Sequence, residues 1–280
     1  MKRPGSQRHL DEMINSWADD VVKIGRSRAK QLIGFSVLGS IIENANSKNS
    51  SPIFAIKGGT GLTIRFGTQV RATRDIDTIT SLDIDVAMTI LSKELEIGWE
   101  EFTGIAIKKH EIVGAAIDPL PQRCEIKFRF RNKPFCTTIF EISRSSKNLL
   151  NITDRINNAI DLAPIKLDSN SSLLILNAHY QVAQKIHACT KPYLTQENPR
   201  VHDIYDILLL EPIIRTNLDA TKQACIETFE ERGLHSWPPT LIPSKSWPGI
   251  WDELDIPENA HTYEDSLAKG IKLISDIAQS

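Results

Sequence analysis

Residues 123–133 alternate without a break. Cys124, Ile126, Phe128 and Phe130 fall on one side, and Arg123, Glu125, Lys127, Arg129, Arg131 and Lys133 on the other. A period of two belongs to a strand, and a strand with one apolar face lies in a sheet that is covered on that face. Asn132-Lys133-Pro134 reads as the turn into a second strand over residues 137–143, which makes an antiparallel hairpin with one face in the core.

The flanking sequence supplies helices. Residues 9–46 lack Pro and repeat Met13, Trp17, Val21, Ile24, then Leu32, Phe35, Leu38 and Ile42 at helical spacing. Residues 44–52 read as a loop, 53–56 as a short strand ending in Gly58-Gly59, and 74–79 as a second strand after a helical turn or two. Residues 83–95 suit a helix with Ile84, Ala87, Met88 and Leu91 on one side, and 105–113 a strand. From about residue 150 the pattern becomes helical. Ile175, His179, Val182 and Ile186 form one stripe, and Val201, Ile204, Tyr205 and Leu208 another, begun by Asn198-Pro199. The three tryptophans of residues 236–251 call for an ordered loop, and a last helix near Glu264 uses Leu267, Ile271, Ile274 and Ile277. The prediction is an α+β domain over residues 1–160, with N-terminal helices, and a helical domain over residues 161–280.

Composition excludes several function classes. Apolar runs such as Leu173–Leu176 stop at four residues, whereas a membrane span needs about 20. The N-terminus has a basic start but no apolar stretch of a signal peptide. Thirty-three basic residues against 35 acidic give a net charge of −2, without the excess that marks a nucleic-acid-binding chain. Cysteines at 124, 136, 189 and 225 have neither disulfide density nor metal spacing, so a cytoplasmic protein with reduced thiols is expected.

The strongest chemical constellation is Lys57-Gly58-Gly59-Thr60 followed by Asp75-Ile76-Asp77. Two glycines after a strand let a ligand approach the backbone, and a helix opening at Thr60 would point its N–H groups at a phosphate. Asp75 and Asp77 project from one strand face, where their repulsion invites a divalent cation, Mg²⁺ or Mn²⁺. A lone Gly-Gly is ordinarily a turn and a lone DxD a strand end, but their order, with Arg71 and Thr73 between, favours a joint reading. Lys57, Gly58, Gly59, Thr60, Arg71 and Thr73 are the candidate nucleotide-binding residues. Neither GxGxxG nor GxxxxGK[ST] occurs, which excludes Rossmann and P-loop sites. Glu141 is the candidate third acid, set among apolar neighbours where a carboxylate is costly alone; Glu125 is the alternative. Asp203 and Asp206 fall on a helix face apart from the apolar stripe, where charges are normally solvated. His179, His187 and His202 read as polar or packing residues. Lys127, Arg129, Arg131 and Lys133 suit either edge-strand protection or a polynucleotide's phosphates.

Together K-G-G-T-G-L (57–62), F-G-x-x-x-R-x-T-x-D-I-D (66–77), F-E-I-S (140–143), Q-K-I-H-A (184–188) and R-V-H-D-I-Y-D (200–206) resemble the AbiEii/AbiGii nucleotidyltransferase toxins of bacterial abortive-infection and toxin–antitoxin systems. The resemblance implies a polymerase-β-like nucleotidyltransferase fold with a mixed sheet and a helical C-terminal region. It also implies a divalent metal, a nucleoside triphosphate substrate, a tRNA 3′ end as acceptor in some members, and a cognate antitoxin. On this chain it marks Gly59 and Thr60 for phosphate, Asp75 and Asp77 for metal, and Lys185 and Asp203 for catalysis; Gln184 stands where the family usually has Glu. The expected activity is metal-dependent nucleotidyl transfer to an acceptor hydroxyl, with RNA the first candidate. One rival is the same chemistry on a protein or small molecule. The other is an inactive nucleic-acid-binding module, against which the intact Asp75/Asp77 pair argues.

Overall fold

The computed structural model describes residues 3–108, 121–145, 149–168, 172–193, 197–257 and 261–280. The chain divides into two compact units, Met1–Thr68 with Thr73–Leu176, and Gln69–Ala72 with Asn177–Ser280.

The first unit is one mixed sheet with helices. In chain order it contains α1 (Gln7–Ser16), α2 (Arg26–Ser47), β1 (Phe54–Lys57), α3 (Gly58–Phe66), β2 (Asp75–Thr80), α4 (Ile84–Ile97), β3 (Phe102–Lys108), β4 (Gln122–Phe130), β5 (Lys133–Arg144), β6 (Thr153–Ile156) and β7 (Leu173–Leu176). The strands lie in the order β3-β4-β5-β2-β1-β7-β6. Strand β2 runs antiparallel to β1 and parallel to β5, and β7 is parallel to β1. Phe54, Ile76, Cys124, Ile126, Phe128, Phe140 and Ile142 are buried in one core with Leu32, Phe35, Leu38 and Ile42 of α2 and Ala87 and Leu91 of α4.

Local chemistry explains where the elements depart from the sequence pattern. Ser6 caps α1 by accepting from the His9 amide, and the chain then widens into a π-helical segment, Trp17–Val22, ending at left-handed Lys23. That extra residue per turn rotates the stripe, so Leu10, Ile14, Trp17 and Ala18 are buried and Val21 is 57% exposed. Helix α2 continues into the expected loop as far as Ser47 because buried Asn46 finishes it. Asn46 Oδ1 accepts from the Ile53 and Phe54 amides, and Nδ2 donates to the Phe54 carbonyl, each at 2.9 Å. The β4–β5 turn is Arg131-Asn132, both with positive φ (46° and 64°), rather than residues 132–134, and Lys133 and Pro134 open β5. Strand β3 covers the first part of the strand expected at 105–113; residues 109–113 lie outside the described residues.

The helical pattern expected from residue 150 is corrected by β6 and β7. Leu173–Leu176 is a strand buried at every position, and a continuous apolar run has no period to separate it from a buried helix. Ile175 thus belongs to the sheet and not to the stripe of His179.

The second unit contains α5 (Ala178–Thr190), α6 (His202–Ile214), α7 (Leu218–Arg232), α8 (Trp247–Asp252) and α9 (Tyr263–Gln279). Asn177, Asn217 and Thr262 cap α5, α7 and α9. Asn198 does not begin α6 as its Asn-Pro sequence suggests. Its Nδ2 donates to the carbonyls of Ala188, Cys189 and Lys191, satisfying acceptors that the end of α5 leaves open. Trp247 and Trp251 are buried, and Trp237 packs edge-on against Phe229. In α9 the buried positions are Ser266, Gly270, Leu273, Ile274 and Ile277, with Ile271 exposed. No helix among the described residues is long and apolar enough to cross a membrane.

Asn46 joins α2 to β1 through three buried bonds, so Asn46→Ala is expected to destabilise the protein by about 2–3 kcal/mol, the penalty of leaving buried backbone groups unpaired. Urea unfolding measures it; a loss under about 0.5 kcal/mol would show that the bonds are replaced.

Candidate active site

Strand register builds a row of charge across the first unit. Lys57 on β1 is opposite Asp77 on β2, Asp77 is opposite Glu141 on β5, and Glu141 is opposite Arg123 on β4. Alternate residues (Ile76, Thr78, Phe140, Ile142, Cys124) are buried, while the four charged side chains are half-buried on the other face. Two cations thus flank two adjacent carboxylates. Burial, and then Asp77, raise the Glu141 carboxyl above its ordinary value; Lys57 and Arg123 pull the other way.

Asp75 shares this face, as the DxD spacing requires, and its Oδ2 accepts from Arg123 Nη2 at 2.6 Å. Lys57 Nζ donates to Ser143 Oγ at 2.9 Å. Glu125 lies one step along β4, where Ile139 stands between it and Asp75. Glu141, by contrast, is the direct neighbour of Asp77.

Gly58 and Gly59 are required by what surrounds them. Gly58 has φ +62°, and a Cβ there would collide with the Asp77 carboxylate. A Cβ on Gly59 would lie 2.7 Å from Thr73 Oγ1. The glycines therefore let α3 start directly beside the acidic strand, its first-turn amides leading. Thr60 is fully buried, and its hydroxyl donates to the Asp75 carbonyl at 2.8 Å, fixing β2 against α3. Phosphate binding at this turn would fall to backbone N–H groups.

The side chains offer a cation hard oxygen donors, with Asp77 beside Glu141 and Asp75 on the same face. Among the described residues no group of three or more His, Cys, Asp and Glu forms a metal cage. The set fits Mg²⁺ or Mn²⁺, which take one or two carboxylates and complete their shell with substrate oxygens and water.

In the second unit, Asp203 and Asp206 are fully buried, correcting the solvated face expected of them. Lys185 Nζ lies 3.1 Å from Asp203 Oδ1 and 2.6 Å from Asp206 Oδ2. Arg71 grips Asp206 with two bonds, Nε–Oδ1 at 3.0 Å and Nη2–Oδ2 at 2.8 Å, and Arg200 Nε reaches Asp203 Oδ2 at 2.7 Å. Burial alone would raise both carboxyls. Lys185 with Arg200 and His202 holds Asp203 far below the usual range, and Lys185 with Arg71 holds Asp206 below it. Burial pushes His202 down to about 4 and His187 to about 3; His187 packs against Phe229 and His235, in keeping with a packing residue.

The basic face is smaller than the alternation suggested. Lys127 and Arg129 are exposed on the side of β4 that carries Arg123 and Glu125. A register shift at Phe128/Arg129 and the turn then remove the other two. Arg131 donates to the Gly5 carbonyl at 2.7 Å and lies 3.6 Å from Glu101, and Lys133 begins β5. Across the β3–β4 seam, Ile105 opposite Lys127 and Ile107 opposite Glu125 are 50% and 40% exposed.

Arg123, Arg200 and Asp206 are not among the candidate site residues that the sequence supplies. Arg200, Asp203 and Asp206 stand three apart, a spacing that shares one helix side, but only tertiary structure shows that side to be buried.

Residues 43–270 match the family described as nucleotidyl transferase AbiEii toxin, type IV toxin–antitoxin system. No curated protein matches. Among solved structures, MenT4, a nucleotidyltransferase toxin from Mycobacterium tuberculosis, is similar at TM-score 0.63 and 11% identity, over 95% of this chain and 89% of that one. At that identity the likeness concerns the fold. A provisionally assigned nucleotidyltransferase from H. pylori gives TM-score 0.47 at 10% identity, over 89% of this chain and 95% of that one. That weaker likeness adds nothing to the fold assignment.

Asp203 and Asp206 ionise below the ordinary 3.8, so their pairing stabilises the fold above that pH and the stabilisation is lost as pH falls further. Lys185→Met removes the shared cation and is expected to cost about 3 kcal/mol at pH 7. The deficit should shrink toward pH 3, where the stranded carboxyls take up protons. Urea unfolding at both pH values checks this; an equal deficit at each would mean that packing, not charge, is lost.

Proposed function

The chain belongs to the AbiEii nucleotidyltransferase toxin family of type IV toxin–antitoxin systems, and from that premise we propose that it transfers a nucleoside monophosphate from a nucleoside triphosphate to a hydroxyl of RNA, a tRNA 3′ end being the first candidate. The observation that carries this reading is the in-register row Lys57–Asp77–Glu141–Arg123 beside the Gly58-Gly59 turn.

The residues divide the work. Backbone N–H groups at the start of α3 bind phosphate oxygens, and Gly58 and Gly59 let them come close. Asp77 and Glu141, with Asp75, would hold Mg²⁺ or Mn²⁺; when bound, the ion supplies charge neutralisation for the pentavalent phosphorus and the departing pyrophosphate. Lys57, fixed by Ser143, stays beside Asp77 and holds its carboxylate in line. The alternative role for Glu141, in place of metal ligation, is to take the acceptor hydroxyl's proton as general base. Lys185 and Asp203, which the family motifs mark, belong to the buried charge network of the second unit and keep the catalytic assignment that the family implies. Catalysis of this kind is chiefly positioning and electrostatic stabilisation. A cytoplasmic setting and a cognate antitoxin accord with the family.

The test is incubation with each labelled triphosphate, a divalent metal, and total RNA or protein extract in parallel. Label is expected in RNA, and Asp77→Asn should reduce transfer at least about a thousandfold, roughly 4 kcal/mol of transition-state stabilisation, without unfolding. Label in protein would move the acceptor class, and near-normal turnover by Asp77→Asn would remove the metal assignment.

Lys127 and Arg129 are the cations left to meet an RNA backbone on this face. Their joint replacement by Gln should weaken RNA binding and reduce the salt-dependence slope by about two phosphate contacts' worth, with triphosphate affinity unchanged. An unaltered slope would make the pair a solubility device.

A further inference from the structure

Arg123 has no role in the scheme above, yet it makes a short polar contact with the acidic strand, Nη2 to Asp75 Oδ2 at 2.6 Å. Register also sets it directly across from Glu141. One guanidinium is therefore bonded to one, and stands across the strand seam from another, of the three carboxylates that the nucleotidyl-transfer reading gives to a divalent cation. Its side chain is 37% exposed and that of Asp75 33%, so water reaches the pair and it opens at little cost. This contrasts with the fully buried pairs around Lys185. Lys57, the other cation of the row, is held on Ser143. A planar fork that binds a carboxylate binds phosphate oxygens with the same geometry, and its charge does not titrate away.

Resting on the nucleotidyl-transfer reading, we propose that Arg123 is a placeholder cation. In the free protein it occupies Asp75 and shields the acidic row; when triphosphate and divalent cation enter together, it releases Asp75 and its fork passes to the phosphates. Arg123 is thereby a specificity device, disfavouring the metal alone and favouring the metal–nucleotide pair.

The test separates metal binding from turnover. Mn²⁺ binding to the full chain without nucleotide, followed by the loss of free-ion paramagnetic resonance signal, is compared for wild type, Arg123→Met and Arg123→Lys. Arg123→Met is expected to bind Mn²⁺ about tenfold tighter, since its competitor is gone, while KM for the triphosphate rises about tenfold or more. Arg123→Lys, which keeps the charge but loses the fork, should restore weak Mn²⁺ binding without restoring KM. Unchanged or weaker Mn²⁺ binding by Arg123→Met, or an unchanged KM, overturns the proposal. If wild type transfers nucleotide normally and these shifts are missing, the Arg123 role alone fails. If wild type neither binds Mn²⁺ nor transfers nucleotide, the nucleotidyl-transfer reading itself falls, and the placeholder with it.

Discussion

Strand β2 is antiparallel to β1 on one side and parallel to β5 on the other, and the chemistry of the first unit hangs on that pairing. Because register is fixed at each seam, Lys57, Asp77, Glu141 and Arg123 form one line although they come from distant parts of the sequence. A slip of one residue in any seam would turn a carboxylate into the core and an apolar side chain out. The buried face prevents such a slip, since Ile76, Phe140, Ile142 and Cys124 would all have to surface together. Core burial therefore holds the charges in alignment, at a cost visible in the raised carboxyl of Glu141. Part of that cost is returned by the flanking Lys57 and Arg123.

The second unit solves a different electrostatic problem. Asp203 and Asp206 have no access to water, so each must be satisfied by protein cations, and Lys185 serves both. Such a network adds little net stability over an apolar core of the same volume, but its members cannot be removed singly without stranding a buried charge. Arg71, from the segment Gln69–Ala72 of the same unit, adds a bidentate grip on Asp206.

Legibility followed the periodicity. The alternation of β4, the Gly58-Gly59 turn, the shared face of Asp75 and Asp77, and the position of Glu141 on a strand could all be read because each is a local pattern with a local cause. Leu173–Leu176 is not legible as a strand, because an all-apolar strand has no alternation. The alternation carries on through Arg131 and Lys133 because the two-residue turn of left-handed Arg131 and Asn132 lacks the glycine that usually marks one. The burial of Asp203 and Asp206 is not legible, because it depends on cations from distant sequence. Arg71 lies more than a hundred residues from its partner, and nothing in either neighbourhood reports the other.

The sign of the charge on the acidic face bears on the choice between enzyme and binding module. Asp75, Asp77 and Glu141 face two cations, Lys57 and Arg123, both already engaged by protein groups. The α3 N-terminus adds about half an elementary charge. A triphosphate, negative on every phosphoryl unit, would be repelled by that balance, and so would the backbone of a nucleic acid bound for its own sake. A face evolved only to hold polynucleotide would gain from replacing these carboxylates with amides or lysines, in keeping with Lys127 and Arg129 further along β4. Three carboxylates on this face are therefore poorly suited to passive binding of a polynucleotide, which argues against a module that only holds nucleic acid.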